Sequence, residues 1–200
     1  MSGRANPVPG LLLCYATRDG QSRRIAQRIA ARLAEGGIAA SPHDLAVALP
    51  APADLAAARL VVVVAAVRYG RHLPEAERFL AACQAATELA PLVFVSVNLT
   101  ARKPGNDTAA GNRYLRKSIA RHRLRPALAA AVAGRLDYPR YGWLDRQMIR
   151  LIMKLTGGPT DPRSCREFTE WSAVDGIAAR IADLHGKAGT SGSPEGARPG

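Results

Sequence analysis

Residues 60–66 read Leu-Val-Val-Val-Val-Ala-Ala, apolar at every position. A strand with one wet face alternates apolar and polar residues. One that is apolar throughout is covered on both faces, as in a parallel sheet flanked by helices. Working outward toward the N-terminus, Leu11–Tyr15 (LLLCY) is a second short buried run, ended by a polar turn. A helix follows in which Ile25, Ile29 and Leu33 recur every four residues, arginines fill the other faces, and Gly36-Gly37 stops the pattern. A weaker strand is expected near Ile38–Ala40. Toward the C-terminus, Pro74 opens a helix to about Glu88, Leu92–Asn98 (LVFVSVN) is another buried strand, and Ala129–Gly134 is an alanine-rich fifth. Strand alternating with helix predicts an α/β fold: a doubly wound, five-stranded parallel sheet with helices on both faces.

Composition removes several function classes. The 200 residues are 48% hydrophobic and 22% charged, which describes a folded domain rather than a disordered chain. No apolar run approaches the roughly 20 residues of a membrane-spanning helix. The opening MSGRANPVPG has no apolar stretch, so no secretory signal is expected. Cys14, Cys83 and Cys165 lack the spacing of a metal site and make an odd count for a disulfide framework, so neither is expected. The net charge of +12 is concentrated: residues 102–166 hold 15 Lys or Arg against four Asp. Such a region faces an anion (phosphate, carboxylate, nucleic acid or lipid) or is simply a solvated face. Nucleic acid is disfavoured, because no recognition motif is present and aromatics are only 5% of residues. The Gly-, Pro- and Ser-rich segment 186–200 reads as a disordered tail after a 10-residue lead and a domain over 11–185.

Ligands of a doubly wound sheet gather at the carboxyl ends of its strands, so the loops there carry the chemistry. The first is Thr17-Arg18-Asp19-Gly20-Gln21-Ser22. Two hydroxyls, one glycine and a helix start make a cradle for a phosphate monoester such as that of FMN. The alternative is an ordinary turn in which Ser22 caps the helix. Neither the dinucleotide fingerprint nor the lysine of a triphosphate-binding loop is there. The second loop, Val67-Arg68-Tyr69-Gly70-Arg71-His72, offers an aromatic ring for stacking and arginine for an anion, with His72 read as an exposed loop histidine rather than a proton donor. The third starts at Val97, Asn98, Leu99 and Thr100 and opens the long basic connection, about 99–128.

Four blocks in order, ATRDGQS, VRYGRH, SVNLTARKP and YPRYGWLDRQMIRLIMKLTGGPTD, resemble the menaquinone-dependent protoporphyrinogen IX dehydrogenases, flavodoxin-like FMN enzymes of haem biosynthesis. The resemblance spans Leu11 to Leu184, with Ser22 standing where threonine is expected; the hydroxyl is kept. It implies FMN as cofactor. Thr17 to Ser22 would hold the ribityl phosphate, while Arg68, Tyr69 and Gly70, together with Val97, Asn98, Leu99 and Thr100, would border the isoalloxazine. It implies six-electron oxidation of protoporphyrinogen IX to protoporphyrin IX in three two-electron steps, with menaquinone as acceptor. Arg102, Lys103, Arg113, Arg116 and Lys117 would meet the two propionates of the substrate. No side chain stands out as a general acid or base.

Tyr138–Leu155 carries an apolar stripe (Leu144, Met148, Leu151, Leu155) beside a basic one (Arg146, Arg150, Lys154), with Trp143 near its start. That pattern suits either a helix packed on the sheet or one lying on an anionic membrane surface, with Trp143, Arg146, Arg150 and Lys154 touching lipid. A lipid-soluble quinone favours the membrane, hence an expected peripheral position on the cytoplasmic face of the inner membrane. A homo-oligomer is left open. Competing readings are a flavodoxin-like electron carrier or NAD(P)H:quinone reductase, against which the positive charge counts, and a non-enzymatic basic binding module.

Overall fold

The structure, a computed structural model, describes residues 10–86, 90–137 and 165–190. In chain order it runs β1 (Leu11–Ala16), α1 (Gln21–Glu35), β2 (His43–Asp44), α2 (Pro52–Ala57), β3 (Leu60–Arg68), β4 (Arg71–His72), α3 (Pro74–Ala85) and β5 (Leu92–Val97). A 3-10 turn (Leu99–Arg102), α4 (Arg113–Arg121), β6 (Leu128–Val132), β7 (Arg135–Asp137), β8 (Cys165–Glu167) and α5 (Trp171–Thr190) complete it. The parallel strands lie in the order β2-β1-β3-β5-β6. The short β4 turns back antiparallel on β3, and β7 with β8 forms a separate antiparallel ribbon. The connections leave β1 and β3 in opposite directions, which opens a crevice at the carboxyl ends of that pair.

The unbroken apolar character of β3 has a two-sided cause. Leu60, Val62 and Val64 join Ile25, Ile29 and Leu33 of α1 and Val174 and Ile181 of α5 in one core. Val61, Val63 and Ala65 join Phe79 and Leu80 of α3 and Leu115 of α4 in the other. Alternate residues therefore serve opposite layers, and no position is left for a polar side chain. Cys14 and Cys83 are free thiols buried in the second core, and burial pushes the Cys83 thiol up to about 12. Along the outer rim of the first layer, Arg28 and Arg32 of α1 both grip the Asp175 carboxylate of α5 at 2.7 and 2.8 Å.

Three expectations are corrected. The second strand is not at Ile38–Ala40 but at His43–Asp44, where two residues pair with Cys14 and Tyr15; Ile38 and Ala40 instead pack against the core edge. His72 is not an exposed loop residue: it lies on β4 and is 4% exposed. The last helix continues through Gly186 to Thr190, into the segment read as tail. The long connection 103–111 does not hang free. Ala131 N–H donates to the Asp107 carbonyl (2.7 Å) and Thr108 bridges Ala130, so the loop covers the outer edge of β6, an otherwise open sheet edge. The stretch Tyr138–Leu155, with Trp143, Arg146, Arg150 and Lys154, lies outside the described residues.

Candidate active site

The three loops expected to carry chemistry meet at the carboxyl end of the sheet around one cleft of about 910 Å³ that is open to solvent. Thr17, Arg18, Asp19, Gln21 and Ser22 line one wall, Ala66 to Gly70 a second, and Val97 to Thr100 a third. Gly20 lies beside them at the head of α1, with φ +88°, a conformation glycine adopts without strain. Its N–H donates to Thr17 Oγ1 (3.0 Å), which closes the turn.

Ser22 bears on both readings of this turn. It does not cap the helix; Gly20 holds the N-cap position and no side chain caps it. The Ser22 hydroxyl is instead buried and has no hydrogen-bond partner among the described residues. The first-turn N–H groups of α1 have no intrahelical acceptor either, and no acidic side chain occupies that turn. A buried hydroxyl and a helix N-terminus directed at the same wall fit the phosphate of FMN. Gln21 turns the other way, donating to Thr169 Oγ1 (2.8 Å) and Glu167 Oε1 (3.2 Å), and so fastens the loop to β8 and the residues beyond it.

The second wall is a two-residue hairpin. Arg68 pairs with Arg71, leaving Tyr69 (φ +50°) and Gly70 (φ +78°) as the turn. Two consecutive positive φ values mark a type I′ turn, which matches strand twist but strains a non-glycine residue. At the tip of this turn Tyr69 stands 64% exposed on the rim of the cleft. Arg68 reaches back to Asp19 (3.4 Å) and ties this hairpin to the first loop.

Behind the third wall lies a buried polar network. Asn98 Nδ2 donates to Ser96 Oγ (3.0 Å), and His72 Nε2 is 2.8 Å from the same hydroxyl. Asn98 Oδ1 accepts from Thr100 Oγ1 (2.6 Å), the Ala101 N–H (3.2 Å) and Asn112 Nδ2 (3.1 Å). Asn112 Oδ1 in turn caps α4 through the Tyr114 and Leu115 N–H groups. One amide thus holds the wall and the start of α4 together. Burial pushes the His72 imidazole down to about 4, so it is neutral at physiological pH. Burial also pulls the neighbouring Glu77 carboxyl upward, but hydrogen bonds from His122 and Arg121 outweigh it and hold the group below its usual range.

The basic residues of the long connection are not in this cleft. Arg102 folds back to donate to the Leu99 carbonyl (2.9 Å) and lies over the Phe168 ring. Arg113 lies over Tyr114, Arg116 donates to the Ala110 carbonyl (2.7 Å), and Lys103 and Lys117 are exposed. Sequence reasoning missed Tyr114, Gly134 and Arg135, which do line the cleft. The last two follow β6 directly, so the rule that ligands sit at strand ends points to them once that strand is correctly bounded.

A flavodoxin-domain family matches residues 12–163. The quinone-linked protoporphyrinogen IX dehydrogenase of Escherichia coli K12 is 40% identical over 176 residues, 88% of this chain and 96% of that protein. The protein of the same name from Leishmania major is 35% identical over 181 residues, 90% of this chain and 78% of that one. Among solved structures, a flavodiiron core from Synechocystis superposes with a TM-score of 0.55 at 10% identity, over 90% of this chain and 36% of its own. The rubredoxin oxygen:oxidoreductase of Desulfovibrio gigas gives 0.53 at 10%, over 89% and 36%. The chain thus spans about a third of those two proteins, and the likeness to them is one of fold.

Proposed function

The chain belongs to the flavodoxin-domain family and, within it, to the quinone-linked protoporphyrinogen IX dehydrogenases; from that membership we propose how its residues serve the reaction. The protein is an FMN-dependent oxidoreductase that takes six electrons from protoporphyrinogen IX, in three two-electron steps, and passes them to a quinone. The observation that carries the residue assignment is the orphaned Ser22 hydroxyl at the head of α1. Ser22, Thr17 and the first N–H groups of α1 hold the FMN phosphate. Tyr69 and Gly70 on one side, and Val97 to Thr100 on the other, border the ring. Bound FMN supplies the two-electron acceptor in each step and is restored by the quinone.

The chain's own residues bind, orient and exclude water. Val67, Val97 and Leu99 give the cleft apolar surface, while Asn98 fixes the third wall through its bonds to Thr100, Ala101 and Asn112. The neutral His72 braces Ser96 behind that wall without adding charge beside the ring. Anaerobic turnover of protoporphyrinogen IX by FMN-loaded protein, read as porphyrin fluorescence, tests the activity. Quinone-dependent porphyrin formation is expected. Flavin-loaded protein that forms no porphyrin with any quinone refutes it and leaves a quinone reductase or electron carrier.

The quinone is menaquinone, reached from an anionic membrane surface on the cytoplasmic side. The support is the sequence pattern of Tyr138, Tyr141 and Trp143 ahead of Arg146, Arg150 and Lys154 at helical spacing. Among the described residues no helix is long and apolar enough to cross a membrane. Reversing the three basic residues to glutamate is expected to release the protein from anionic vesicles with flavin still bound. Undiminished vesicle binding refutes the contact.

A further inference from the structure

Beside the cofactor cleft, and sharing Arg18, Arg68 and Tyr69 with it, lies a second recess of about 1130 Å³ whose other lining residues are Arg71, His72, Leu73, Pro74 and Glu77. Its charge is one-sided. Three guanidiniums line it against one acid, Glu77, whose Oε2 is engaged by Arg121 and His122 at 2.8 and 2.9 Å and whose Oε1 is buried without a hydrogen-bond partner among the described residues. Arg68 is turned toward Asp19, but Arg18 and Arg71 are exposed and make no hydrogen bond or ion pair with any described residue. The rest of the lining is the exposed Tyr69 ring, the buried His72, and the apolar Leu73 and Pro74. Arginines that carry no internal pair, set around an aromatic and apolar floor, suit a large, mostly apolar macrocycle with carboxylates on one edge.

We propose that this recess is the substrate subsite: the macrocycle lies against Tyr69 at the edge of the flavin cleft, and its two carboxylates meet Arg71 and Arg18. The inference rests on the dehydrogenase reading above. It moves carboxylate recognition from the basic connection 102–117 to the hairpin after β3. The shared wall of Arg18, Arg68 and Tyr69 brings a ligand held there to the mouth of the flavin cleft, as electron transfer requires.

The test uses equilibrium binding, not turnover. Protoporphyrin IX and its dimethyl ester are titrated into FMN-loaded wild type, Arg71→Gln, Arg71→Glu and Arg113→Gln, with porphyrin absorbance as readout and flavin affinity measured on the same samples. Wild type is expected to prefer the free acid. Arg71→Gln should weaken that binding at least about tenfold, as loss of one hydrogen bond to a charged group does, and Arg71→Glu more. The ester's affinity and FMN retention should stay unchanged in both, and Arg113→Gln should behave as wild type. Full discrimination between acid and ester in the Arg71 variants, or its loss in Arg113→Gln, overturns the assignment while wild-type turnover still supports the activity. Equal binding of acid and ester by wild type also overturns it and marks the recess as apolar, fit for the quinone. Wild type that binds neither the acid nor the ester overturns the subsite, while turnover of protoporphyrinogen IX judges the dehydrogenase reading separately.

Discussion

Ser22→Ala should move two properties in opposite directions. In the protein without flavin the Ser22 hydroxyl is buried and unpartnered among the described residues, a condition that costs about 1–3 kcal/mol. Alanine removes that cost and is the better helix former by a few tenths of a kcal/mol. Deleting one oxygen leaves little void, so the flavin-free variant should gain about 1 kcal/mol in urea unfolding. With flavin present the sign changes. A hydrogen bond to a charged group contributes about 1.5–3 kcal/mol, so FMN should bind about 10- to 150-fold more weakly in a flavin-fluorescence titration. Thr17→Ala is the contrast: Thr17 Oγ1 already accepts the Gly20 N–H, so its loss should destabilise the flavin-free protein as well. A Ser22→Ala protein that is less stable without flavin, or binds FMN as tightly as wild type, refutes the assignment of that hydroxyl to phosphate.

Other outcomes follow from the site's surroundings. His72 titrates near 4 in the fold against an ordinary 6.5, so between those values the unfolded chain takes up a proton that the folded one refuses. Stability should therefore fall as pH drops through that window, by roughly 3 kcal/mol at its acid end. Urea unfolding from pH 8 to 4 should show a shallower loss in His72→Gln; identical slopes would remove the imidazole as the cause. Tyr69→Asn relieves a left-handed backbone and should stabilise the protein by about 1 kcal/mol in thermal unfolding, while FMN affinity drops about three- to tenfold with the lost ring. Gly111→Ala places a methyl group on the Gly105 carbonyl oxygen, so the loop over β6 must rearrange. Limited proteolysis should then cut near Gly105 in the variant and not in wild type.

What the sequence made legible is what burial dictates locally. The β3 run is apolar because both faces are covered, and the stripe of Ile25, Ile29 and Leu33 reaches the core as its spacing requires. What stayed hidden is set by partners distant in sequence. The position of β2 depends on where the chain meets Cys14 and Tyr15, not on the apolarity of Ile38. His72 looked exposed because a two-residue turn without Asn-Gly gives little sign that the chain folds straight back, and its burial comes from Ser96 and Phe94. Counting charge in 102–117 located a basic region correctly, but no count reveals that Arg102 is spent on Leu99 and Phe168. The Gly-, Pro- and Ser-rich composition from 186 suggested a tail, yet α5, anchored in its first half by Val174, Ile177 and Ile181, runs on to Thr190.

The two sides of the cleft are anchored differently. The hairpin bearing Tyr69 grows from β3, which is laddered to β1 on one side and β5 on the other; the opposite wall, Asn98 to Arg102, is held largely by side-chain amides and hydroxyls. Amide hydrogen exchange should register this as slow exchange up to Val67 and much faster exchange at Ala101 and Lys103. The site is then a vice whose jaws are set by different means: Tyr69 by the strand ladder behind it, and the facing wall by the amides of Asn98 and Asn112.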